Sequence, residues 1–406
     1  MDYASQTIYV IIRPVEAFKP KKYSIKTLGC QANIADSNTM AGILEALGFE
    51  SSEEFVECSV FIINTCSVRQ KSEDKAYGFG KIVKETLDNG KEKPFVIMAG
   101  CMVGSVTGER QRYEFDLLKK KTPWVDAYIN PSQIMTIPTI LQNQGILDEW
   151  ALSKFDPKNT IAVQENSTHA FVNISYGCDN FCTFCVVPYA RGKEISRSKE
   201  QILKEIKHLA DRGFSEITLC GQNVNSWGLE MSEKFEIRTG SDQKLPFADL
   251  LREVHSIVGI EKIDFLSSNP FDFTNDLIEA LKLPKISNYL HMAVQSGNND
   301  VLKRMNRRHT VEDFIFLTDT IRAAKPSVEF GTDIIVGFPG ETRDQFMDTV
   351  KLFERVPFNV AYISIYSPRK GTPAQKFYED DIPLKEKKWR HAKLTEVWNS
   401  NRPERQ

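Results

Sequence analysis

Three cysteines close three apolar runs, and their placement limits the fold more than any other feature of the chain. The runs Tyr23–Leu28, Ser59–Ile63 and Phe95–Ala99 end at Gly29-Cys30, Asn64-Thr65-Cys66 and Gly100-Cys101. Helical stretches separate them, at Asp36–Leu47 before Gly48 and at about Ser72–Asn89 before Gly90. Strand, helix, strand, helix, strand predicts a parallel sheet with right-handed crossovers. The cysteines lie 36 and 35 residues apart, each at the same place after its strand. In an open parallel sheet those ends share one edge, where ligands bind. Three thiols can then meet at one point without a compact motif; the competing reading is three incidental core cysteines.

A second set is compact. Cys178-Asp179-Asn180-Phe181-Cys182-Thr183-Phe184-Cys185 carries three thiols on one loop, at spacings of four and three. A cubane iron–sulfur cluster held by three thiolates keeps one iron open, able to hold S-adenosylmethionine by its amino and carboxylate groups. Phe181 and Phe184 can shield such a cluster from water. The rival is structural zinc, which needs four protein ligands; His169, nine residues before Cys178, would have to be the fourth.

At 406 residues the chain exceeds what one core usually covers, so two domains are expected. The pattern places an extension at 1–21, a parallel-sheet domain at 22–145, a polar linker at 146–168, a second α/β domain at 169–383, and a helix and tail at 384–406. Candidate strands of the second domain are Phe171–Tyr176, Glu216–Cys220, Lys262–Leu266, His291–Val294, Thr332–Val336 and Ala361–Tyr366. Ser198 with Gln201, Thr310 with Asp313 and Thr342 with Gln345 signal helix starts. The fold class expected is α/β: an open, Rossmann-like parallel sheet, then a partial (β/α)6 TIM-type barrel. Its strand-end loops offer candidate cofactor contacts at Gly221, Gln222 and Asn223, at Gln295 and Ser296, and at Gly337 and Glu341. Each loop could equally be an ordinary turn. Arg191 and Arg197 could bind a carboxylate or phosphate, or form surface ion pairs. Cys58 and Cys220 read as structural.

Net charge is −2, so a nucleic-acid partner would need local basic patches. Candidates are Lys119–Lys121, then Lys303, Arg304, Arg307 and Arg308, then Lys385–Arg390; the alternative is solvated surface charge. No stretch approaches the ~20 apolar residues of a membrane span. Arg13-Pro14 interrupts the short run Ile8–Ile12, so no secretory signal is expected. Eight cysteines are too few for a disulfide scaffold and point to a reducing cytoplasm, with thiolates reserved for metal.

From about Lys22 to Lys388 the chain resembles the methylthiotransferase family of radical S-adenosylmethionine enzymes. The strings that carry the resemblance are Thr27–Asn33, Asn64–Arg69, Ala99–Met102, Tyr176–Cys182, Gly221–Ser226 and Leu302–Arg308. Gln31 and Ser67-Val68-Arg69 resemble the tRNA-modifying branch; the ribosomal-protein branch typically has proline after the first cysteine and glycine after the second.

The resemblance implies two 4Fe-4S clusters. Cys178, Cys182 and Cys185 would hold the one that cleaves S-adenosylmethionine, and Cys30, Cys66 and Cys101 an auxiliary one that carries the inserted sulfur. One S-adenosylmethionine would methylate that sulfur, and a second would yield the radical that abstracts hydrogen from C2 of N6-dimethylallyladenosine beside the anticodon. The implied partners are the tRNA anticodon stem-loop, an electron donor such as flavodoxin or ferredoxin, and a sulfur donor, with a monomeric chain and no membrane. The alternatives are a threonylcarbamoyladenosine or ribosomal-protein aspartate substrate, or a non-catalytic, metal-stabilised RNA-binding protein. The family normally ends in a TRAM-type β-barrel; the forty residues after Tyr366 read as helix and tail, so that domain is expected to be absent.

Overall fold

The computed structural model describes residues 9–10, 21–68, 70–153, 155–156, 162–163, 168–237 and 239–403. The chain divides into two compact units, Met1–Glu165 with Val186–Lys193, and Asn166–Cys185 with Glu194–Gln406. Residues 154, 157–161 and 164–167 of the stretch expected as a linker lie outside the described residues, and its start carries a short helix, Glu149–Ser153.

The first unit is built on one sheet. Its strands are β1 (Tyr9–Val10), β2 (Lys22–Thr27), β3 (Glu50–Ser51), β4 (Val60–Thr65), β5 (Phe95–Gly100) and β6 (Ala127–Ile129), in the order β1-β6-β5-β4-β2-β3. All neighbours are parallel except β1 with β6. Successive side chains of a strand face opposite sides. Val60, Ile62 and Ile97 pack with Met40, Ile43 and Leu44 of helix α1 (Gln31–Ala46). Phe61, Ile63, Val96 and Met98 pack with Ala76 of α2 (Gln70–Asp88) and Val103 of α3 (Cys101–Thr107). Both faces are covered, which is why β4 and β5 read as unbroken apolar runs.

The second unit carries β7 (His169–Asn173), β8 (Ser175–Tyr176), β9 (Ile195–Ser196), β10 (Glu216–Cys220), β11 (Lys262–Phe265), β12 (Tyr289–His291), β13 (Glu329–Val336) and β14 (Val360–Ile365). Six of them form two parallel three-stranded sheets, β11-β10-β7 and β12-β13-β14. Parallel bridges Ile263 to Ile286 and Ser268 to Met292 join the two, giving the expected partial six-stranded barrel. Ile217, Ile263, Leu290, Phe330 and Ile334 face the helices, against Ile206, Leu250, Leu317 and Phe346. The expected helix caps are present: Ser198, Thr310 and Thr342 each accept from the backbone N–H three residues on. The last helix, Leu384–Asn401, packs Leu394 and Val397 into the same core.

Two expected strands differ. Phe171–Tyr176 breaks after Asn173, and Ser175–Tyr176 instead pairs antiparallel with Ile195–Ser196. The fourth barrel strand is Tyr289–His291 and stops before Val294, leaving single bridges at Met292 and Gln295.

Candidate active site

In the first unit, Cys30, Cys66 and Cys101 follow the C-terminal ends of three neighbouring strands, β2, β4 and β5. The chain leaves β2 for β3 on one side and β4 for β5 on the other. A reversal of that kind opens a crevice at the carboxyl ends of the strands, and Cys30 and Cys66 flank it. Cys30 is the N-cap of α1 and is exposed; Cys66 and Cys101 are buried. Burial pushes the Cys101 thiol up to about 11; the Arg191 guanidinium opposes that shift, and Cys66 and Cys30 add to it. The three thiols thus share one electrostatic environment.

Buried polar side chains fix this site. Asn33 Nδ2 donates to Asn64 Oδ1 (3.0 Å) and to Thr65 O (3.1 Å), and Asn64 Nδ2 donates to Asn33 O (2.8 Å). Asn33 Oδ1 also accepts from the Cys30 N–H (3.3 Å). Thr65 Oγ1 donates to Ala99 O (2.6 Å) and accepts from Met102 N–H (3.2 Å), tying β4 to the start of α3. The Val68 N–H points at Cys66 Sγ (3.4 Å). Gly100 takes φ 91°, and a Cβ there would collide with the Thr65 backbone. Arg191 pairs with Asp36 of α1 (2.8 Å), both side chains almost fully buried. Sequence reasoning assigned no role to Asn33, Asp36 or Asn64, because their partners are distant in the chain.

In the second unit, Cys178 and Cys182 are buried and Cys185 is partly exposed. Burial pushes the Cys178 thiol well up, and Cys185 and Cys182 alongside push further. Gly177 and Phe181 both adopt left-handed backbone, φ 71° and 49°, an unusual conformation for phenylalanine. The turn after the helix Asn299–Arg304 holds the loop in that shape. Thr183 donates through N to Met305 O (3.1 Å) and through Oγ1 to Arg304 O (2.9 Å). Asn306 Nδ2 donates to Phe181 O (3.1 Å), and Arg307 Nη1 donates to Cys182 Sγ (3.5 Å).

The candidate cofactor residues fall into two groups. Gly221 lies beside Ser175, and a Cβ on it would strike the Ser175 hydroxyl. Ser175 Oγ and Ser268 Oγ are buried with no hydrogen-bond partner among the described residues, as expected where a bound polar molecule completes the set. Gln222 is partly buried, and Gln295 and Ser296 are buried, Gln295 in left-handed backbone with φ 75°. The others are engaged within the fold. Asn223 Nδ2 donates to Ser226 Oγ (2.6 Å), and its carbonyl accepts from Asn269. Arg197 donates to Asn173 O (2.6 Å) and pairs with Glu205 (2.7 Å). Glu341 accepts from the Gly337 N–H (2.7 Å) and from Arg390 (2.8 Å).

Two of the basic runs are also partly engaged within the fold. Arg304 bonds Gln345, Arg308 bonds Asp272 and Lys234 O, Lys387 pairs with Asp380, and Arg390 with Glu341 and Glu386. Lys303, Lys385 and Lys388 of the same runs are exposed. Lys120 and Lys121 remain exposed.

Among the described residues, no three His, Cys, Asp or Glu side chains converge closely enough to hold a single metal ion. A cubane cluster asks for something different, cysteine thiolates spread around a body several atoms wide. The two cysteine triads, with N–H donors aimed at Cys66 and Cys182, and the unpartnered Ser175 hydroxyl suit such clusters and a polar cofactor.

The description "Radical SAM superfamily" matches residues 172–353, and "Uncharacterized protein family UPF0004" matches 22–129. A tRNA-2-methylthio-N(6)-dimethylallyladenosine synthase of Shouchella clausii is 39% identical over 390 residues, covering 93% of this chain and 70% of that protein. The synthase of the same name from Clostridium botulinum strain Hall is 40% identical over 384 residues, covering 93% and 81%. Among solved structures, the radical S-adenosylmethionine methyltransferase TsrM from Kitasatospora setae superposes with a TM-score of 0.61 at 12% identity, covering 87% of this chain and 75% of that one, a likeness of fold alone. The chain belongs to the radical S-adenosylmethionine methylthiotransferase family that includes these tRNA-2-methylthio-N(6)-dimethylallyladenosine synthases.

Proposed function

We propose that this chain places a methylthio group on C2 of N6-dimethylallyladenosine beside the anticodon of tRNA. The observation that carries the reading is the second thiol triad. Reductive cleavage of S-adenosylmethionine needs one three-cysteine site; a separate triad at the reversal point of the first sheet supports a sulfur-supplying one. Cys178, Cys182 and Cys185 hold the first 4Fe-4S cluster, and Cys30, Cys66 and Cys101 the second. When bound, these clusters and S-adenosylmethionine supply the electron, the radical, the methyl group and the inserted sulfur.

The chain's own residues bind and orient. The Asn33–Asn64 exchange holds the strand ends that carry Cys30 and Cys66. Asn306 and Thr183 hold the loop of Cys178–Cys185 in its bent form. Gly221, Gln222, Gln295 and Ser296, with Ser175, line the cofactor's place. Asn223, Arg197, Gly337 and Glu341 act behind them, fixing the loops. Phe184 packs with Phe338, Met305 and Val301, excluding water beneath the loop.

No helix among the described residues is long and apolar enough to cross a membrane. A cytoplasmic monomer served by a flavodoxin- or ferredoxin-type electron donor and a sulfur donor fits this chemistry. Expression in a bacterial strain lacking its own methylthiolating enzyme, followed by mass spectrometry of tRNA nucleosides, tests the reading. Restored 2-methylthio-N6-dimethylallyladenosine supports it, and unmodified N6-dimethylallyladenosine alone refutes it.

A further inference from the structure

We propose that Arg307 sets the reduction potential of the cluster held by Cys178, Cys182 and Cys185, acting as a positioning residue on the Cys182 sulfur. The inference rests on the assignment of those cysteines above and adds to it a residue outside the loop.

The geometry is specific. Arg307 Nη1 donates to Cys182 Sγ at 3.5 Å, and Nη2 donates to Ala293 O at 2.6 Å, just beyond β12. The guanidinium also lies 5.1 Å from the centre of the Phe271 ring. It is held from three sides: by the sulfur, by the backbone after a barrel strand and by an aromatic face. The backbone that carries it is fixed as well, because Asn306 adopts φ 56° while its side chain holds Asn180 O and Phe181 O. The side chain is therefore aimed at a ligand sulfur and is not a surface charge that reaches it by chance.

Reduction adds one electron to the cluster, taken from a low-potential donor that is oxidised in turn, and moves no proton. The added negative charge spreads onto the ligand sulfurs. A fixed cation and an N–H donor at one sulfur stabilise the reduced form more than the oxidised one, raising the potential. The partial burial of Arg307 strengthens the effect over that of a solvated arginine. A site that must pass an electron onward to a sulfonium has use for a potential set by a single fixed group.

The test uses the full chain with Cys30, Cys66 and Cys101 all changed to Ala, so that a single cluster is present. Arg307→Leu and Arg307→Lys are made in that background, reconstituted anaerobically and titrated potentiometrically with the electron paramagnetic resonance signal as readout. Iron and sulfide content and thermal unfolding are measured alongside. Arg307→Leu is expected to lower the reduced-to-oxidised ratio at a fixed potential at least tenfold, ~59 mV for one electron. Arg307→Lys, which keeps the charge but cannot serve both acceptors, is expected to fall between Leu and the parent. If the Leu variant binds no cluster, Arg307→Lys decides alone. Unchanged potentials overturn the proposal, and so does loss of the cluster from both variants while they stay folded, which would leave Arg307 only a loop-holding role. If the parent with intact Arg307 binds no cluster, it is the assignment of Cys178, Cys182 and Cys185 that fails.

Discussion

Asn33 and Asn64 hold each other across the reversal point of the first sheet. The side chain of Asn33 donates to Asn64 Oδ1 at 3.0 Å, and that of Asn64 donates back to Asn33 O at 2.8 Å. The pair joins the N-terminal turn of α1, which Cys30 caps, to the end of β4, which Cys66 follows. Asn33→Ala strips partners from Asn64, Thr65 O and the Cys30 N–H. Each buried group left unsatisfied costs about 1–3 kcal/mol. The variant should unfold at lower urea concentration and, after reconstitution, lose one cluster's worth of iron while retaining the other's.

The buried pair Asp36–Arg191 is a second anchor of that site. Removing one partner strands the other in a low-dielectric interior at a cost of about 3–5 kcal/mol, whereas replacing both with apolar residues is far milder. Asp36→Ala should therefore destabilise the metal-free protein more than the double variant Asp36→Leu, Arg191→Met. Denaturant unfolding of the two settles the order; equal losses would mean the pair is not desolvated as the structure shows.

Acid should loosen the C-terminal helix. Hydrogen bonds from Arg343 first, and then from Arg390, hold the Glu386 carboxyl down at about 2. Its usual value is about 4.3. A depressed carboxyl contributes stability that is fully present above the usual value and is lost as pH falls through the folded one. Glu386→Gln should lower the melting temperature at neutral pH and flatten its decline between about pH 4 and pH 2. Because Arg343 is largely exposed, the change should be small; an unaltered acid limb would show the pairing to be absent in solution.

The two triads should separate functionally. Cys182→Ala is expected to abolish formation of 5′-deoxyadenosine, whereas Cys66→Ala should retain some cleavage and end sulfur insertion. Product analysis by mass spectrometry distinguishes them, and identical behaviour in the cleavage assay would contradict a division of labour.

What could be read from the sequence was what burial writes directly into it. β4 and β5 are covered on both faces, so their apolar runs located them to within about a residue or two. α1 was expected from Asp36 but begins at Gln31, because Cys30 is an unusual cap and its turn is completed by Asn33. α3 starts at Cys101 with no capping residue before it, only a left-handed glycine. β6 is three residues long, too short to show a period. At the proposed site, the placement of the cysteines at three strand ends and on one loop was legible because spacing reveals it. The groups that hold them were not: Asn33 meets Asn64 across 31 positions, Asp36 meets Arg191 across 155, and Arg307 reaches Cys182 across 125. Long-range polar pairing leaves no periodic trace, and for the same reason Asn223 looked available for a ligand when it was already bonded to Ser226 and Asn269.

The most direct test follows one atom. An anticodon stem-loop carrying N6-dimethylallyladenosine with deuterium at C2 is incubated anaerobically with the reconstituted chain, S-adenosylmethionine and a low-potential reductant. The account predicts one deuterium in the 5′-deoxyadenosine for each 2-methylthio-N6-dimethylallyladenosine formed. 5′-Deoxyadenosine that forms without deuterium, with the substrate left unmodified, would contradict it.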